Sequence, residues 1–490
     1  MTDIRRRISS LFKGREEFDL TSGNIGKPLF FLSMPIVVTN LFQTAYNLAD
    51  TFWLGQYSTD ALAAISFAFP MVFLLISLGM GISVAGSVLV AQYTGAGEEG
   101  KAEYAASQTV TFASIASVVL GVVGYVFVEK FLGIMGASSD VLPMASSYME
   151  VISLGLLFMF GFAVFVALMR GYGDTITPML VMFGSVVLNI IIDPFLIFGW
   201  TLVENAPLVG TITFPELGIE GAAIATVFSR ALALVVGLAI MFRGERGVQI
   251  NLRDMVPDLS YLRRLAGIGV PASIEGTGRA VSMNLLLFIV AFFPDTVVAA
   301  YGIGTRIFSV VFLPAIAVAR GVETMTGQNI GATKPDRAEQ AAALAAKVLF
   351  GVLTGAGVLV WFAAAPIADL FTTDPEVVNI SAEFLRYVAL TFGFIGIMRA
   401  YTGSFRGAGK TLTAAVISVL MLGVIRFPIA WVSASSIGES GIWLSFAVSN
   451  VAGAAIAYAW YQRGTWRTGD LTESAVGIDD TGVESPTTDD

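Results

Sequence analysis

The sequence predicts an all-α integral membrane protein with twelve transmembrane helices, arranged as two six-helix lobes related by a pseudo-two-fold axis along the membrane normal. The prediction depends on the composition, on the number of long apolar segments and on an internal repeat. Of the 490 residues, 55% are hydrophobic and 13% are charged, and the mean hydropathy is +0.76. Soluble domains carry roughly 25% charged residues, so this composition is typical of a membrane protein and excludes a soluble globular one.

Cysteine and histidine are both missing from the sequence. Without cysteine, the chain cannot form disulfides, thiolate metal sites or a cysteine nucleophile. Without histidine, proton chemistry near neutral pH must use carboxyl groups. The start, "MTDIRRRISSLFKGREE", is basic and polar, so we expect no cleavable signal peptide.

Twelve apolar segments of membrane length, separated by short loops, predict twelve spanning helices. Their approximate cores are 28–54, 61–92, 102–129, 138–169, 174–199, 217–242, 260–292, 297–321, 337–365, 376–404, 411–432 and 440–461. Basic residues orient them, because 19 lysines and arginines fall on the side of the N-terminus and Lys130 alone on the other. The positive-inside rule therefore predicts a multi-pass protein of the cell membrane with both termini in the cytoplasm.

The second half of the chain repeats the first at a constant offset. "QYTGAGEEGKAEYAA" from Gln92 matches "QNIGATKPDRAEQAA" from Gln328, and "RGYGDTIT" from Arg170 matches "RGAGKTLT" from Arg406. Each half contains six predicted spans, and an even number returns the chain to the same side. The halves should therefore share one orientation, as in transporters with parallel repeats, with a cavity between them as the default substrate site.

This repeat divides the chain into three predicted regions. Residues 1–244 form the N-terminal lobe with a short basic cytoplasmic start, and residues 245–468 form the C-terminal lobe. The first half also has an insertion in an outer loop near 201–216. Residues 469–490 contain seven acids and no base, which account for most of the net charge of −9. Such a composition predicts a disordered, solvated cytoplasmic tail.

One segment, "GSFRGAGKT" at 403–411, resembles a phosphate-binding P-loop. The first glycine that the motif requires is replaced by Ser404, no strand precedes it, and the repeated copy has Asp174 where the lysine should be. A tight turn between helices explains both copies better. With no nucleotide-binding element, transport would have to be downhill or driven by an ion gradient.

Two aspartates lie in segments that are otherwise apolar. No acid or base lies between Lys27 and Asp50, and Asp193 lies in "VVLNIIIDPFLIFGW". A carboxylate at membrane depth costs at least ~2.5–3.5 kcal/mol and usually marks an ion pathway or a substrate site. Asn189 lies one helical turn before Asp193, and Pro194 frees a backbone carbonyl nearby, so oxygen ligands for a hard cation are available on one face.

The two halves differ in how their buried charges are paired. Asp50 and Asp193 have no basic residue on their own helices, whereas Glu275 in the second half has Arg279 one helical turn later. We therefore expect the proton or cation site in the first half, where the two carboxylates either share a proton or coordinate a sodium ion. The structural alternatives are that Asp50 hydrogen-bonds helix ends and that Asp193 caps a broken helix beside Pro194.

Several motifs resemble the multidrug and toxic compound extrusion (MATE) family. They are "YNLADTFWLG" in the first helix, "LNIIIDPFLIFG" in the fifth, "QxxGA" after the second and the repeated "RGxGxT", and the resemblance covers about residues 20–465. The first two are similar to the DNA-damage-inducible F-like (DinF-like) branch and its archaeal relatives. The resemblance implies a V-shaped pair of lobes that export organic cations and amphipathic drugs against H⁺ or Na⁺.

The resemblance also implies roles for particular residues. The coupling site, and the ligands of Na⁺ in the sodium-coupled case, would be Asp50, Asn189, Asp193 and Thr226. Tyr148 matches an aromatic position near that site. Independently of the resemblance, we expect Tyr148 and Pro35 to contribute to the substrate cavity or to bending of the first helix, which would bend or repack near Pro35 when the carboxyl pair is neutralised. Another branch uses acids in the seventh and tenth helices, but Glu275 and Glu383 do not clearly match them, so we expect no coupling site in the C-terminal lobe.

The resulting hypothesis is a secondary-active multidrug exporter, not an enzyme, with no cofactor other than the coupling ion. Its partners would be small-molecule drugs or organic cations and the lipid bilayer, with no nucleic acid, and the resemblance implies a functional monomer. The main alternative is a flippase for lipid-linked oligosaccharides or peptidoglycan precursors from the same wider superfamily, because the second half is rich in arginine. A channel or a non-transporting receptor is a further alternative.

Overall fold

The structure is a computed structural model that describes residues 19–134, 139, 141–206 and 210–472. Within the first half, long apolar segments form helices whose backbone groups are satisfied internally, as a membrane requires. In chain order these are α1 (Gly26–Tyr57), α2 (Thr59–Ala96), α3 (Glu99–Ile134), α4 (Val141–Leu154), α5 (Leu156–Tyr172), α6 (Ile176–Phe198) and α7 (Gly218–Arg243).

The second half follows a short 3₁₀ turn, Leu252–Met255. Its elements are α8 (Leu259–Val290), α9 (Asp295–Gly331), α10 (Pro335–Asp369), α11 (Pro375–Ala389), α12 (Phe392–Gly407), α13 (Thr411–Val419), a π-helical segment (Leu420–Arg426), α14 (Phe427–Ile437) and α15 (Glu439–Gln462). The segment Thr411–Ile437 is one continuous span.

The predicted fold class is confirmed. Nine described helices are long and apolar enough to cross a membrane, or eleven spans when two bent helix pairs are each counted once. The bent pairs are α4–α5 at 54° and α11–α12 at 50°, which are the fourth span of each half. Helix α8 is the twelfth predicted segment and is not among these eleven spans. It is as long as α1, but it contains charged residues such as Glu275 and Arg279. The twelve predicted segments thus all correspond to helices.

A β-hairpin occupies the predicted outer loop of the first half. Strand β1 (Trp200–Ala206) pairs antiparallel with β2 (Gly210–Phe214), with Trp200 opposite Phe214. The β-branched runs "TLV" and "TIT" favour extended backbone over helix. The sequence predicts an insertion in this loop, but it did not predict the strands.

The connection between the lobes is held against α3. The side-chain amide of Gln108 donates to the carbonyl oxygens of Asp254 and Val256 at 2.6 and 2.7 Å, and its oxygen accepts from the backbone of Asp258 at 3.1 Å. Asp258 in turn caps α8 by accepting from the backbone of Ser260 at 2.8 Å. The predicted boundary between the lobes therefore lies in a segment fixed by side-chain hydrogen bonds.

The predicted acidic tail lies outside the described residues from position 473 onward. Its first residues are described and contact the lobes: the backbone N–H of Leu471 donates to Gln92 at 2.7 Å, and its carbonyl accepts from Arg264. These residues differ from the expectation of a solvated tail because Leu471 is apolar and packs beside clusters of buried residues that include Val84 and Val88 of α2 and Ala272 of α8.

Candidate functional site

A pair of buried aspartates lies where α1 packs against α6 in the first half. Asp50 on α1 is 4% exposed and Asp193 on α6 is fully buried. Their carboxyl groups lie next to each other, close enough to share a proton. Two residues from distant parts of the sequence, each isolated in an apolar segment, thus form one site.

Asn189 extends this pair by one helical turn. Its side-chain N–H donates to Oδ1 of Asp193 at 3.0 Å, and the residue is fully buried. Among the described residues, no donor reaches Oδ1 of Asp50, Oδ2 of Asp193 or Oδ1 of Asn189. A buried oxygen without a donor is costly, so three such oxygens in one place favour a bound proton or cation.

Two tyrosines and a threonine surround the carboxyl pair. The hydroxyl of Tyr46, one turn before Asp50, donates to Oγ1 of Thr226 at 2.5 Å and also contacts Asp50. Thr226 on α7 is therefore connected to Asp50 through Tyr46. Tyr148 on α4 is 5% exposed and lies near both carboxyl groups. The structure thus places these candidate residues around one site.

Arg230 is a member of the site that the sequence analysis did not select. It is 6% exposed, donates to Oε1 of Gln43 at 2.8 Å, and lies over the ring of Tyr46 at 5.1 Å from the centroid. It also interacts electrostatically with Asp50. The signal was present, because Arg230 follows Thr226 by one helical turn and so lies on the same face of α7.

Pro35 lies apart from the carboxyl pair. It precedes Asp50 by about four helical turns on α1, roughly 22 Å along the axis. Its carbonyl oxygen accepts from the hydroxyl of Thr39 at 2.8 Å. A proline inside a helix removes one backbone hydrogen bond, so α1 is weakened at this point, and its role in bending stays a prediction.

The described residues contain no group of three or more acidic side chains that could hold a metal ion. The site instead combines two carboxyl groups with the oxygens of an amide and nearby hydroxyls. This set of hard oxygen donors fits a proton shared by two carboxyl groups and also fits a sodium ion. It does not fit a transition metal, which prefers nitrogen or sulfur ligands.

The buried acids Glu275 and Glu323 in the second half are paired with arginines, as expected for this half from the sequence, but the arginines come from more than one element. Arg279 lies 3.7 Å from Glu275, while Arg406 is closer, with Nη1 at 3.1 Å from both carboxylate oxygens. Arg406 also donates to Glu323 at 3.0 Å, and Arg320 donates to Glu323 at 2.8 Å. Because both acids are occupied by arginines, neither resembles the Asp50–Asp193 pair.

Comparisons with known proteins give the family. The MatE family model matches residues 35–195 and 271–432, about two thirds of the chain, and the two matches begin at the equivalent prolines Pro35 and Pro271. A FAD transporter of Shewanella oneidensis is 29% identical over 92% of this chain and 97% of its own. The probable multidrug resistance protein NorM of Thermotoga maritima is 27% identical over 90% and 93%, respectively.

Solved structures share the fold. A mutant of the Vibrio cholerae MATE transporter VcmN superposes with a TM-score of 0.83 at 23% identity, covering 90% of this chain and 98% of the other. The matches extend through both lobes and agree with the predicted resemblance. This chain belongs to the MatE family of multi-pass membrane transporters, which are not enzymes.

Proposed function

We propose that this protein is a secondary-active exporter of amphipathic small molecules, in which H⁺ or Na⁺ binds at the Asp50–Asp193 pair. The observation that carries the proposal is the contact between two buried carboxyl groups whose remaining oxygens lack a donor among the described residues. Two carboxylates in contact cannot both remain ionised at low cost. A proton or a monovalent cation on the pair removes that cost.

The charge balance gives the number of ions. Two ionised carboxylates carry −2, and the guanidinium of Arg230, which interacts with Asp50, compensates one of these charges. One further positive charge makes the site neutral. A net charge inside the membrane costs about 2.5–3.5 kcal/mol or more, so the ion-free and ion-bound states differ enough to favour different packings of α1. We therefore infer one coupling ion per cycle.

Access would alternate by movement of the two lobes. In the structure they contact each other at the end where both described termini lie; for example, the amide of Asn329 donates to the carbonyl oxygen of Leu20 at 3.1 Å. With both termini in the cytoplasm, this arrangement is closed to the cytoplasm. Ion binding from outside would then neutralise the pair, repack α1 near Pro35 and release the substrate outward.

The substrate class follows from the same charge. An organic cation can compensate the negative charge that remains when the ion leaves, so substrate and ion would compete for one site. Relatives named multidrug resistance proteins, and another named a FAD transporter, indicate that amphipathic compounds of some size are carried within this group. Organic cations and amphipathic drugs are therefore the first substrates to test.

The experiment uses the full chain in liposomes. Efflux of ethidium is followed under a pH gradient and, separately, under a sodium gradient, for the wild type, Asp50→Asn and Asp60→Asn. Asp60 is an exposed residue at the start of α2 and serves as the matched control. We expect one of the two gradients to drive efflux in the wild type and the control, and neither to do so in Asp50→Asn.

The ion that drives efflux identifies the coupling ion. Gradient-driven export by a correctly folded Asp50→Asn variant at the wild-type rate would contradict coupling at the carboxyl pair. Loss of export in Asp60→Asn as well would show that the effect of Asp50→Asn is not specific to the buried site.

A further inference from the structure

The C-terminal lobe contains a cavity that no part of the proposed coupling cycle uses. It has a volume of about 220 Å³ and lies among α8, α9, α12, the π-helical segment and α15. Three arginines line it: Arg279, Arg399 and Arg426. No acidic residue is among its described lining residues, so the cavity wall carries three positive charges.

One glutamate behind the wall cannot balance these charges. Glu275 lies 3.7 Å from both Arg279 and Arg399, but its closer partner is Arg406 at 3.1 Å. One carboxylate is therefore shared by three guanidinium groups. Among the described residues, Nε of Arg279 and Nε of Arg399 have no hydrogen-bond partner. Buried charges are normally paired, so this excess favours a bound anion.

Arg426 is buried with neutral partners. It is 5% exposed, and its guanidinium donates to Oγ of Ser449 at 2.8 Å and to Oδ1 of Asn450 at 2.9 Å. No other described residue forms a hydrogen bond with the guanidinium nitrogens of Arg426. An arginine held by a hydroxyl and an amide keeps its full positive charge and stays available to a carboxylate or phosphate.

The backbone around Arg426 departs from a regular α-helix. Arg426 is the last residue of the π-helical segment Leu420–Arg426, and Pro428 lies just beyond it in α14. Ser282 on α8 donates to the carbonyl oxygen of Leu422 at 3.2 Å, which satisfies one of the backbone groups in this segment. Short π-helical segments occur frequently at functional sites, and this one directs an arginine to the cavity.

Aromatic side chains form the rest of the wall. Phe308 and Phe312 have ring centroids 5.8 Å apart, and Phe446 lies 5.9 Å from Phe308. The guanidinium of Arg399 lies 4.5 Å from the centre of Phe312, and that of Arg426 lies 4.3 Å from the centre of Phe446. Rings of this kind pack well against a flat apolar body while the arginines bind its charged group.

We propose that the C-terminal-lobe cavity lined by Arg279, Arg399 and Arg426 binds an organic anion, namely a carboxylate or phosphate on a small aromatic body. The cavity is smaller than the roughly 300–1,000 Å³ of drug-sized sites, so the ligand has one or two fused rings. This ligand is negatively charged, whereas the ion and the substrate proposed for the N-terminal site are positively charged. A protein with both sites handles cations in one lobe and anions in the other.

The test measures binding without an ion gradient, so its outcome is independent of coupling at Asp50. The full chain in phosphatidylcholine nanodiscs is titrated with indole-3-acetate and with its neutral isostere indole-3-acetamide. We expect the acid to bind the wild type at least tenfold more tightly than the amide. Equal affinities for the acid and the amide would overturn the proposal, because the negative charge of the ligand would then contribute nothing to binding.

Variants then assign the site. Arg426→Gln should weaken binding of the acid at least tenfold and leave the amide unchanged, while Arg426→Lys, which keeps the charge, should retain most of the affinity. Arg306→Gln is the matched control, because Arg306 is exposed and does not line the cavity. Unchanged acid binding by a folded Arg426→Gln variant would overturn the proposal, and the acid-to-amide ratio of the wild type tests it even where that variant fails to fold.

The same anionic chemistry could come from a lipid head group. Nanodiscs that contain phosphatidylglycerol distinguish the two sources, because an anionic lipid in the cavity would suppress binding of indole-3-acetate. Suppression would identify the lipid as the occupant of the anion site, and undiminished binding would identify a soluble aromatic acid.

Discussion

Gln92 and Gln328, which occupy equivalent positions in the two repeats, form hydrogen bonds in opposite directions across the boundary between the lobes. The amide of Gln92 donates to the carbonyl oxygen of Gly407 at 3.0 Å, and the amide of Gln328 donates to that of Gly171 at 3.1 Å. Gly171 and Gly407 are equivalent positions as well. Each half therefore supplies one donor and one acceptor, as two halves related by a pseudo-two-fold axis should.

These bonds explain two repeated motifs together. The glutamine of "QxxGA" in each half contacts the second position of "RGxG" in the other half. Both glutamines are buried, and each makes a second donation, from Gln92 to Gly469 at 3.1 Å and from Gln328 to Tyr172 at 3.0 Å. We call this reciprocal contact of Gln92 and Gln328 the glutamine latch. It holds together the end of the molecule that carries both described termini.

Removing one side of the glutamine latch should open this end of the molecule. Gln328→Ala loses two hydrogen bonds at about 1 kcal/mol each, which weakens the closed arrangement by roughly 2 kcal/mol, or about thirtyfold. Spin labels at Lys101→Cys and Lys334→Cys report the separation of the lobes, and the chain has no other cysteine. We expect a population at longer label distances in Gln328→Ala that the parent lacks.

The control for this experiment is Gln462→Ala, which removes an exposed glutamine at the end of α15. It should leave the label distances unchanged. Identical distance distributions for Gln328→Ala and the parent would show that the glutamine latch does not determine which arrangement the lobes adopt.

Substitution of two glycines beside the glutamine latch should disturb the contact between the lobes more than substitution of the glutamines. A Cβ on Gly95 would lie 1.9 Å from the carbonyl oxygen of Gln328, and a Cβ on Gly331 would lie 1.9 Å from that of Gln92. Backbone atoms cannot yield as a flexible side chain can, so Gly95→Ala or Gly331→Ala must separate α2 from α9. We expect a lower thermal midpoint and longer label distances in both variants.

Gly100→Ala is the matched control for these substitutions. A Cβ there meets nothing within 4 Å, and alanine favours a helix over glycine by about 0.5–1 kcal/mol. This variant should be as stable as the parent or slightly more stable. A tolerated Gly95→Ala, with unchanged midpoint and distances, would mean that the two helices do not remain in this close contact.

The sequence was sufficient for the helices and insufficient for the contacts between them. Membrane-length apolar segments and the internal repeat depend on local composition, and they predicted the spans and the two lobes. Glu275 illustrates the limit: Arg279 was predicted as its partner from spacing on one helix, but Arg406 on α12 is closer. Helical periodicity carries no information about which distant helix packs alongside.

The candidate site shows the same limit. Asp50 and Asp193 stood out because each carboxyl group is isolated in an apolar segment, but neither their contact nor the role of Arg230 follows from spacing. Arg230 looked like one more buried charge until α7 was placed beside α1. The hairpin was not predicted for another reason. The pattern of membrane-length apolar segments carries no information about a loop outside the membrane, where a short sequence can form either β-strands or irregular backbone.

Arg230 should be required for turnover because it compensates one of the two carboxylate charges. In Arg230→Met the ion-free site would carry −2 instead of −1, and an additional buried charge costs about 2.5 kcal/mol or more. The population of the ion-free state, and with it the initial rate of gradient-driven efflux, should fall on the order of 10- to 100-fold. Arg230→Lys keeps the charge and should retain most of the rate.

The same liposome assay gives the contradicting outcome. An Arg230→Met variant that exports at the wild-type rate would mean that the guanidinium does not balance the pair. Loss of export in Arg230→Lys as well as in Arg230→Met would assign the role of Arg230 to its hydrogen bond with Gln43 and its packing on Tyr46, since the charge alone would not be enough.

A low pH should destabilise the connection between the lobes, because it protonates Asp258, the residue that caps α8. The hydroxyl of Ser260 donates to the Asp258 carboxylate at 2.6 Å, and this bond, with those from Tyr104 and the backbone, lowers the pKa of Asp258 below its usual value of 3.8. A carboxylate with a lowered pKa stabilises the folded state at any pH above the unfolded pKa. That contribution is lost as the pH falls through the lower, folded value.

Asp258→Asn isolates this contribution, because asparagine keeps an acceptor oxygen for the cap and lacks the charge. The wild type should have the higher thermal midpoint in detergent from pH 7 down to about 5, and the difference should shrink below about pH 4 as Asp258 becomes protonated. In a Ser260→Ala background the difference should already be smaller at pH 7, since the principal cause of the lowered pKa is removed. A difference that stays constant from pH 7 to below pH 4 would show that the charge of Asp258 does not contribute, and that the cap acts through its neutral hydrogen bonds alone.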